Sequence, residues 1–145
     1  MVVNCPLEGR YDMTIDAKGR LFFPAKQREK LEGTTLHLTR GLDGCLFAYT
    51  DPQWDAFKQK VAELPVSKNR MSMRYLMGNS CEATLDAQGR ITVAPKLREF
   101  AQLKKDVTLV GLLDRMEIWD TDLWNSMNDA LTSDDIAAML EELNF

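Results

Sequence analysis

Histidine and cysteine are scarce in this 145-residue chain. His37 is the one histidine, and Cys5, Cys45 and Cys81 stand far apart with no Cys-x-x-Cys pair. No metal site is expected from so few ligands, and three thiols so spaced are read as reduced cysteines in a reducing compartment. No run approaches the roughly 20 apolar residues of a membrane span. Residues 1–10 contain no apolar segment of the kind a signal peptide needs. The expected setting is therefore the cytoplasm, with no membrane partner. A phosphate-cradling glycine loop and a Ser/His pair are also missing, so neither an enzyme, a cofactor nor a small-molecule substrate is expected.

What the chain does contain is a repeat. Displaced by seventy positions, Thr14 falls on Thr84, Asp16 on Asp86, Ala17 on Ala87, Gly19 on Gly89 and Arg20 on Arg90. Lys26 then meets Lys96, Arg28 meets Arg98 and Glu29 meets Glu99, and after a one-residue slip Asp43 meets Asp114. Trp54 returns to register with Trp124. A ladder of this length marks a duplication. Each copy spans roughly 45 residues, near the limit at which a chain buries a sufficient core alone, so the two copies are expected to bury their apolar faces against each other.

The centre of each copy is Asp-Ala-x-Gly-Arg, flanked by short alternating runs such as Tyr11 to Ile15 and Leu21 to Phe23. Gly19 and Gly89 suit a positive φ in a short hairpin loop, and Asp16 and Asp86 can fold their carboxylates onto loop N–H groups. Two β-hairpins are predicted. In the plainer reading Arg20 and Arg90 are ion-pair partners of these aspartates. In the other, Lys18 at the tip with Arg20, Lys26 and Arg28 close behind forms a set of donors for phosphates and base edges. The two roles can coexist. In the second copy Gln88 replaces Lys18, removing a charge, and Leu97 replaces Gln27, which predicts a more buried helix.

Pro24 opens a short helix of good helix formers, Ala25 to Leu31. A second hairpin follows, with Thr35 to Thr39 and Cys45 to Tyr49 joined through Gly41-Leu42-Asp43-Gly44. Asp51 before Pro52 reads as a helix N-cap, and Trp54, Phe57, Val61 and Leu64 form a core stripe. Ser67 is read as capping a connector helix that ends at Gly78. It carries Lys68, Arg70 and Arg74 with no acid, and Met71, Met73 and Met77 suit a contact between modules. Val107 to Leu112 and Glu117 to Trp119 are the matching strands of the second copy. Asp120 or Thr121 caps the next helix, and Thr132 or Ser133 caps a tail helix with Ile136, Met139, Leu140 and Leu143 on one side.

The net charge of −4 argues at first against nucleic acid. The distribution of that charge argues the other way. Residues 119–145 carry seven acids and no lysine or arginine, which leaves +3 on residues 1–118. Screening within about 8 Å makes local charge matter more than the total.

The runs Ile15-Asp16-Ala17-Lys18-Gly19-Arg20 and Phe23-Pro24-Ala25-Lys26-Gln27-Arg28-Glu29 carry a resemblance, as do Leu109-Val110-Gly111 and Glu117-Ile118-Trp119-Asp120. They resemble the MraZ family of bacterial transcriptional regulators, two-copy members of the swapped-hairpin AbrB superfamily. The resemblance covers about Leu7 to about Asn128. It implies an α+β fold of two tandem AbrB-like β-α-β-β-α units in pseudo-two-fold arrangement, a barrel of double-psi or swapped-hairpin type flanked by helices. The corresponding division is 7–54 and 81–128 for the repeats, 55–80 for a helical connector and 129–145 for an acidic tail helix.

The resemblance further implies a sequence-specific regulator, expected to repress. Its partner would be double-stranded promoter DNA at repeated boxes upstream of the division and cell-wall gene cluster that includes its own gene. A nucleoid-associated homo-oligomeric ring larger than a dimer is the expected assembly. The expected DNA-binding residues are Lys18, Arg20, Lys26, Arg28, Arg90, Lys96 and Arg98, with Asp16, Gly19, Asp86 and Gly89 shaping the loops. Two other classes stand beside this one. A catalytic pair of Asp16 and Asp86 is disfavoured because each belongs to its own turn. A ring-forming scaffold that uses the acidic tail instead of DNA is the alternative.

Overall fold

A computed structural model describes residues 7–31 and 33–144. Cys5, with the rest of 1–6, lies outside the described residues. The first copy supplies β1 (Gly9–Thr14), β2 (Arg20–Phe22), α1 (Ala25–Lys30), β3 (Thr35–Arg40), β4 (Leu46–Tyr49) and α2 (Asp51–Ala62). Helix α3 (Val66–Ser72) runs into a π-helical turn, Met73–Met77. The second copy supplies β5 (Cys81–Thr84), β6 (Arg90–Thr92), α4 (Pro95–Ala101), β7 (Asp106–Gly111), β8 (Met116–Asp120) and α5 (Thr121–Asp129). Helix α6 (Ser133–Leu140) and a 3-10 turn, Glu141–Leu143, close the chain.

The predicted hairpin β3–β4 forms, with Asp43 and Gly44 at positive φ in its turn. Around Asp16 and Asp86 the outcome differs from two independent hairpins. Among the described residues β1 and β2 share no strand ladder, only the isolated bridge of Ile15, just past β1, with Leu21. β1 then pairs with β7, β5 pairs with β3, and β2 pairs with β6, so every one of these strands takes its partner from the other copy. Burial explains the exchange. Leu21 and Ile91 lie opposite each other in the β2–β6 ribbon and are 0% and 1% exposed, whereas a lone two-stranded hairpin is marginal in water. Each such side chain contributes about 1.5–3 kcal/mol when buried, and neither copy can bury its own without the other.

The six-stranded antiparallel sheet runs β1-β7-β8-β4-β3-β5. Its centre is the β4–β8 pair, where Leu46 faces Ile118 and Phe47 faces Glu117. The registers place a pseudo-two-fold axis between these two pairs and midway between Leu21 and Ile91. The main core draws on both copies, with Leu36, Leu38, Leu97, Val107 and Leu109 all buried. The buried Leu97 and half-buried Gln27 bear out the expected difference between α4 and α1.

Helix starts shift by a residue or two from their sequence signals. Thr50, not Asp51, caps α2, because the Gln53 side chain reaches back to accept from the Thr50 N–H at 3.0 Å. Asp51 is thereby free to meet His37 at 2.6 Å. Trp54 and Val61 are buried, but α2 ends at Ala62 and leaves Leu64 38% exposed outside the stripe. α3 starts at Val66, directly after Pro65, rather than behind a Ser67 cap. Asp120 caps α5. Thr132 caps α6 by accepting from the Asp135 N–H at 3.1 Å.

Candidate nucleic-acid interface

Each Asp-Ala-x-Gly-Arg loop is closed by its aspartate. The Asp16 N–H donates to the Arg20 carbonyl at 3.0 Å and the Gly19 N–H donates back to the Asp16 carbonyl at 2.9 Å. One carboxylate oxygen, Oδ1, accepts from the N–H groups of Lys18 at 3.0 Å and Arg20 at 2.9 Å. The other accepts from Nε of Arg20 at 2.6 Å. Asp86 repeats the pattern with Gln88, Gly89 and Arg90, its ion pair measuring 2.9 Å. Gly19 and Gly89 take φ of +80° and +79°, as the loop signature requires. Both carboxyls sit below the ordinary aspartate value, chiefly because the arginine N–H donates to them; burial opposes this, and the guanidinium and the residue-18 or residue-88 N–H assist it.

The two loops are clasped together. The Phe23 N–H donates to the Gly89 carbonyl at 2.9 Å, and its counterpart, the Val93 N–H, donates to the Gly19 carbonyl at 2.8 Å. Successive strand residues point to opposite faces, and directly opposed residues share a face. With Leu21 and Ile91 inward, Arg20, Phe22, Arg90 and Thr92 therefore share the outward face of the β2–β6 ribbon.

Arg28 and Arg98, predicted beside their own loops, cross to the opposite one. A Cβ on Gly89 would fall within 2.5 Å of a terminal nitrogen of Arg28, and a Cβ on Gly19 within 2.5 Å of Nε of Arg98. Both Nε atoms are buried, with no hydrogen-bond partner among the described residues. The Arg28 guanidinium also lies 6.0 Å from the ring centroid of Phe22, within cation–π reach. The ribbon thus gathers four arginines, two from each copy, over one surface.

Lys18, Lys26 and Lys96 are exposed around this surface. Residues 16–30 hold five basic and two acidic side chains, against three and two in residues 86–99, so the charge is lopsided toward the first copy. Phe22 is a member of the surface that the motif alone does not single out. Its signal was the alternation Leu21, Phe22, Phe23, which with two buried neighbours leaves the middle residue outward and 46% exposed.

A two-unit AbrB-like fold with exchanged strands is thereby defined. The family described as "MraZ protein, putative antitoxin-like" matches residues 7–74 and again 76–143. Curated relatives named "Transcriptional regulator MraZ" extend the match over nearly the whole chain. One from Thermoanaerobacter sp. (strain X514) is 42% identical over 142 residues, 95% of this chain and 99% of the relative. One from Pelotomaculum thermopropionicum is 41% identical over 140 residues, 94% and 96% of the two chains. One from Ligilactobacillus salivarius is 44% identical over 133 residues, 89% and 92%. The chain belongs to the MraZ family.

Proposed function

We propose that this protein is a DNA-binding transcriptional regulator whose reading surface is the outward face of the β2–β6 ribbon with its two loops. The observation that carries the reading is the convergence of Arg20, Arg28, Arg90 and Arg98 from both copies around an exposed Phe22. Arginine forks suit phosphate oxygens and guanine edges, and the aspartates hold two of the four through Nε, while a terminal nitrogen of Arg90 also donates to Gln88 Oε1 at 3.4 Å. Lys18, Lys26 and Lys96 supply further phosphate contacts. Arg28 and Arg98 add charge and also brace the opposite loop. The relatives' shared name supports the same class.

The finer reading is a nucleoid-associated regulator, expected to repress, that binds repeated boxes upstream of the division and cell-wall gene cluster containing its own gene. It acts as a homo-oligomeric ring larger than a dimer. A single ribbon is a small footprint, but ribbons held at fixed spacing engage successive boxes with the later contacts effectively intramolecular. Gel-shift titration against promoter DNA carrying one, two or three boxes tests this. Affinity rising steeply with the number of correctly spaced boxes is the expected result. Equal affinity for one box and a tandem array removes the ring mechanism, and no binding at low salt removes DNA as the partner.

A further inference from the structure

The strand exchange gives the two ends of the β2–β6 ribbon different chemistry. Arg20 lies opposite Thr92 and Phe22 opposite Arg90, so each end combines the loop of one copy with a strand residue of the other. The backbone clasps agree. The Val93 N–H reaches the Gly19 carbonyl beside the Arg20–Thr92 pair, and the Phe23 N–H reaches the Gly89 carbonyl beside the Phe22–Arg90 pair. The crossed arginines follow, Arg98 resting on Gly19 and Arg28 on Gly89. One end therefore holds Lys18, Arg20, Arg98 and Thr92. The other holds Gln88, Arg90, Arg28 and Phe22.

The two loop arginines are not held alike. Asp16 holds Arg20 through Nε, and the Lys18 side chain, which carries donors only, cannot add to that hold. Arg90 is held twice. Asp86 accepts from its Nε at 2.9 Å, and the Gln88 side-chain oxygen accepts from Nη2 at 3.4 Å, a long contact that limits the swing of the fork. Both acceptors lie along the guanidinium edge formed by Nε and Nη2. The end formed by Nη1 and Nη2 keeps one N–H on each nitrogen, the parallel pair that matches O6 and N7 of guanine. Beside this fork, on the same face, stands the exposed Phe22 ring, with the Arg28 guanidinium 6.0 Å from its centroid. At the other end the matching strand residue is Thr92, which has no ring to offer Arg98.

We propose that the two ends of the ribbon divide the work of recognition: the Gln88 end discriminates bases, with Gln88 directing Arg90 at a guanine edge, and the Lys18 end anchors phosphates whatever the sequence. This rests on the DNA-binding reading above and assigns separate roles within its surface. Gln88 is then a positioning residue for specificity. A fork already restrained by two acceptors loses less freedom on binding and rewards the one base edge it matches. Lys18 is a flexible point charge, which meets a phosphate equally well beside any base. The charge surplus of the first copy thus marks the anchor, and the copy that lost a lysine carries the reader.

The test is selection by the full-length protein from a randomised duplex library, followed by titration against the selected duplex and a scrambled one at a single low salt concentration. Lys18 and Gln88 are exposed in their loops, so circular dichroism melts of their variants should match wild type. Lys18→Gln should weaken binding to both duplexes by the same factor and select the same sequence as wild type. Gln88→Lys should bind the scrambled duplex more tightly than wild type and lower the ratio of the two affinities about tenfold, with the loss confined to a guanine position. Gln88→Glu keeps an acceptor for Arg90, so it should hold the ratio while weakening binding to both duplexes. A changed base preference in Lys18→Gln, an unchanged ratio in Gln88→Lys, or a wild type that binds DNA but enriches no sequence overturns the division between the ends and leaves DNA as the partner. Absence of wild-type binding to either duplex overturns the DNA-binding reading itself.

Discussion

The guanidinium of Arg28 packs on Gly89, the loop glycine of the other copy, where an added Cβ would meet its terminal nitrogen at 2.5 Å. Arg98 makes the matching contact on Gly19. Gly89→Ala should destabilise the fold by about 1–2 kcal/mol, because a left-handed conformation burdens any residue with a Cβ. It should also displace Arg28. In a double-mutant cycle with Arg28→Ala, followed by urea unfolding, the two changes should be non-additive. Strict additivity would show that the arginine does not rest on the loop.

Arg20 and Asp16 should separate binding from folding. Arg20→Ala removes a half-exposed guanidinium and should weaken operator binding with little change in melting temperature. Asp16→Ala opens the loop and should lower both, since Oδ1 is left unable to hold the N–H groups of Lys18 and Arg20. Wild-type operator affinity in folded Arg20→Ala would remove this arginine from the interface.

The depressed carboxyls give a pH dependence of known sign. A group whose folded value lies below its unfolded value, here 3.8, contributes stability that is full above the unfolded value and is lost as pH falls through the folded one. Wild type should therefore lose melting temperature more steeply below about pH 4 than Asp16→Asn/Asp86→Asn, with the two profiles parallel at neutral pH. Parallel profiles down to pH 2 would contradict the loop hydrogen bonding.

Salt dependence tests the proposed phosphate contacts. Affinity should fall by about 0.9 log units per decade of salt for each phosphate neutralised. Lys18→Ala should flatten that slope, and Gln88→Lys should leave it unchanged or steepen it. Phe22→Ala should lower affinity at constant slope on the proposed reading, because an uncharged ring neutralises no phosphate. It should leave stability nearly unchanged, since Phe22 is 46% exposed.

Thiol reactivity gives a check independent of DNA. Burial pushes the Cys45 thiol up to about 12, with Glu117 adding to the rise, whereas Cys81 is exposed on β5. At pH 8, peptide mapping after brief iodoacetamide treatment should find Cys81 alkylated and Cys45 protected until denaturant is added. Equal labelling of the two would contradict the packing around Cys45.

Features that depend on neighbouring residues were legible in the chain itself. The Asp16 and Asp86 loops, their positive-φ glycines, the β3–β4 turn and the burial of Leu97 follow from residues a few positions apart, where backbone sterics and short-range hydrogen bonds decide the conformation. So did the duplication, which is written twice. Which strand joins which was decided only by the tertiary structure. The runs beside Asp16 predict a hairpin equally well whether they pair with each other or with the second copy. The choice fell to the copies' shared need to bury Leu21, Ile91 and their neighbours in one core. That exchange carried Arg28 to Gly89 and Arg98 to Gly19, and turned two separate loops into one surface. No local rule reaches across half the chain, so the residues of the two loops could be named from the sequence while their arrangement could not.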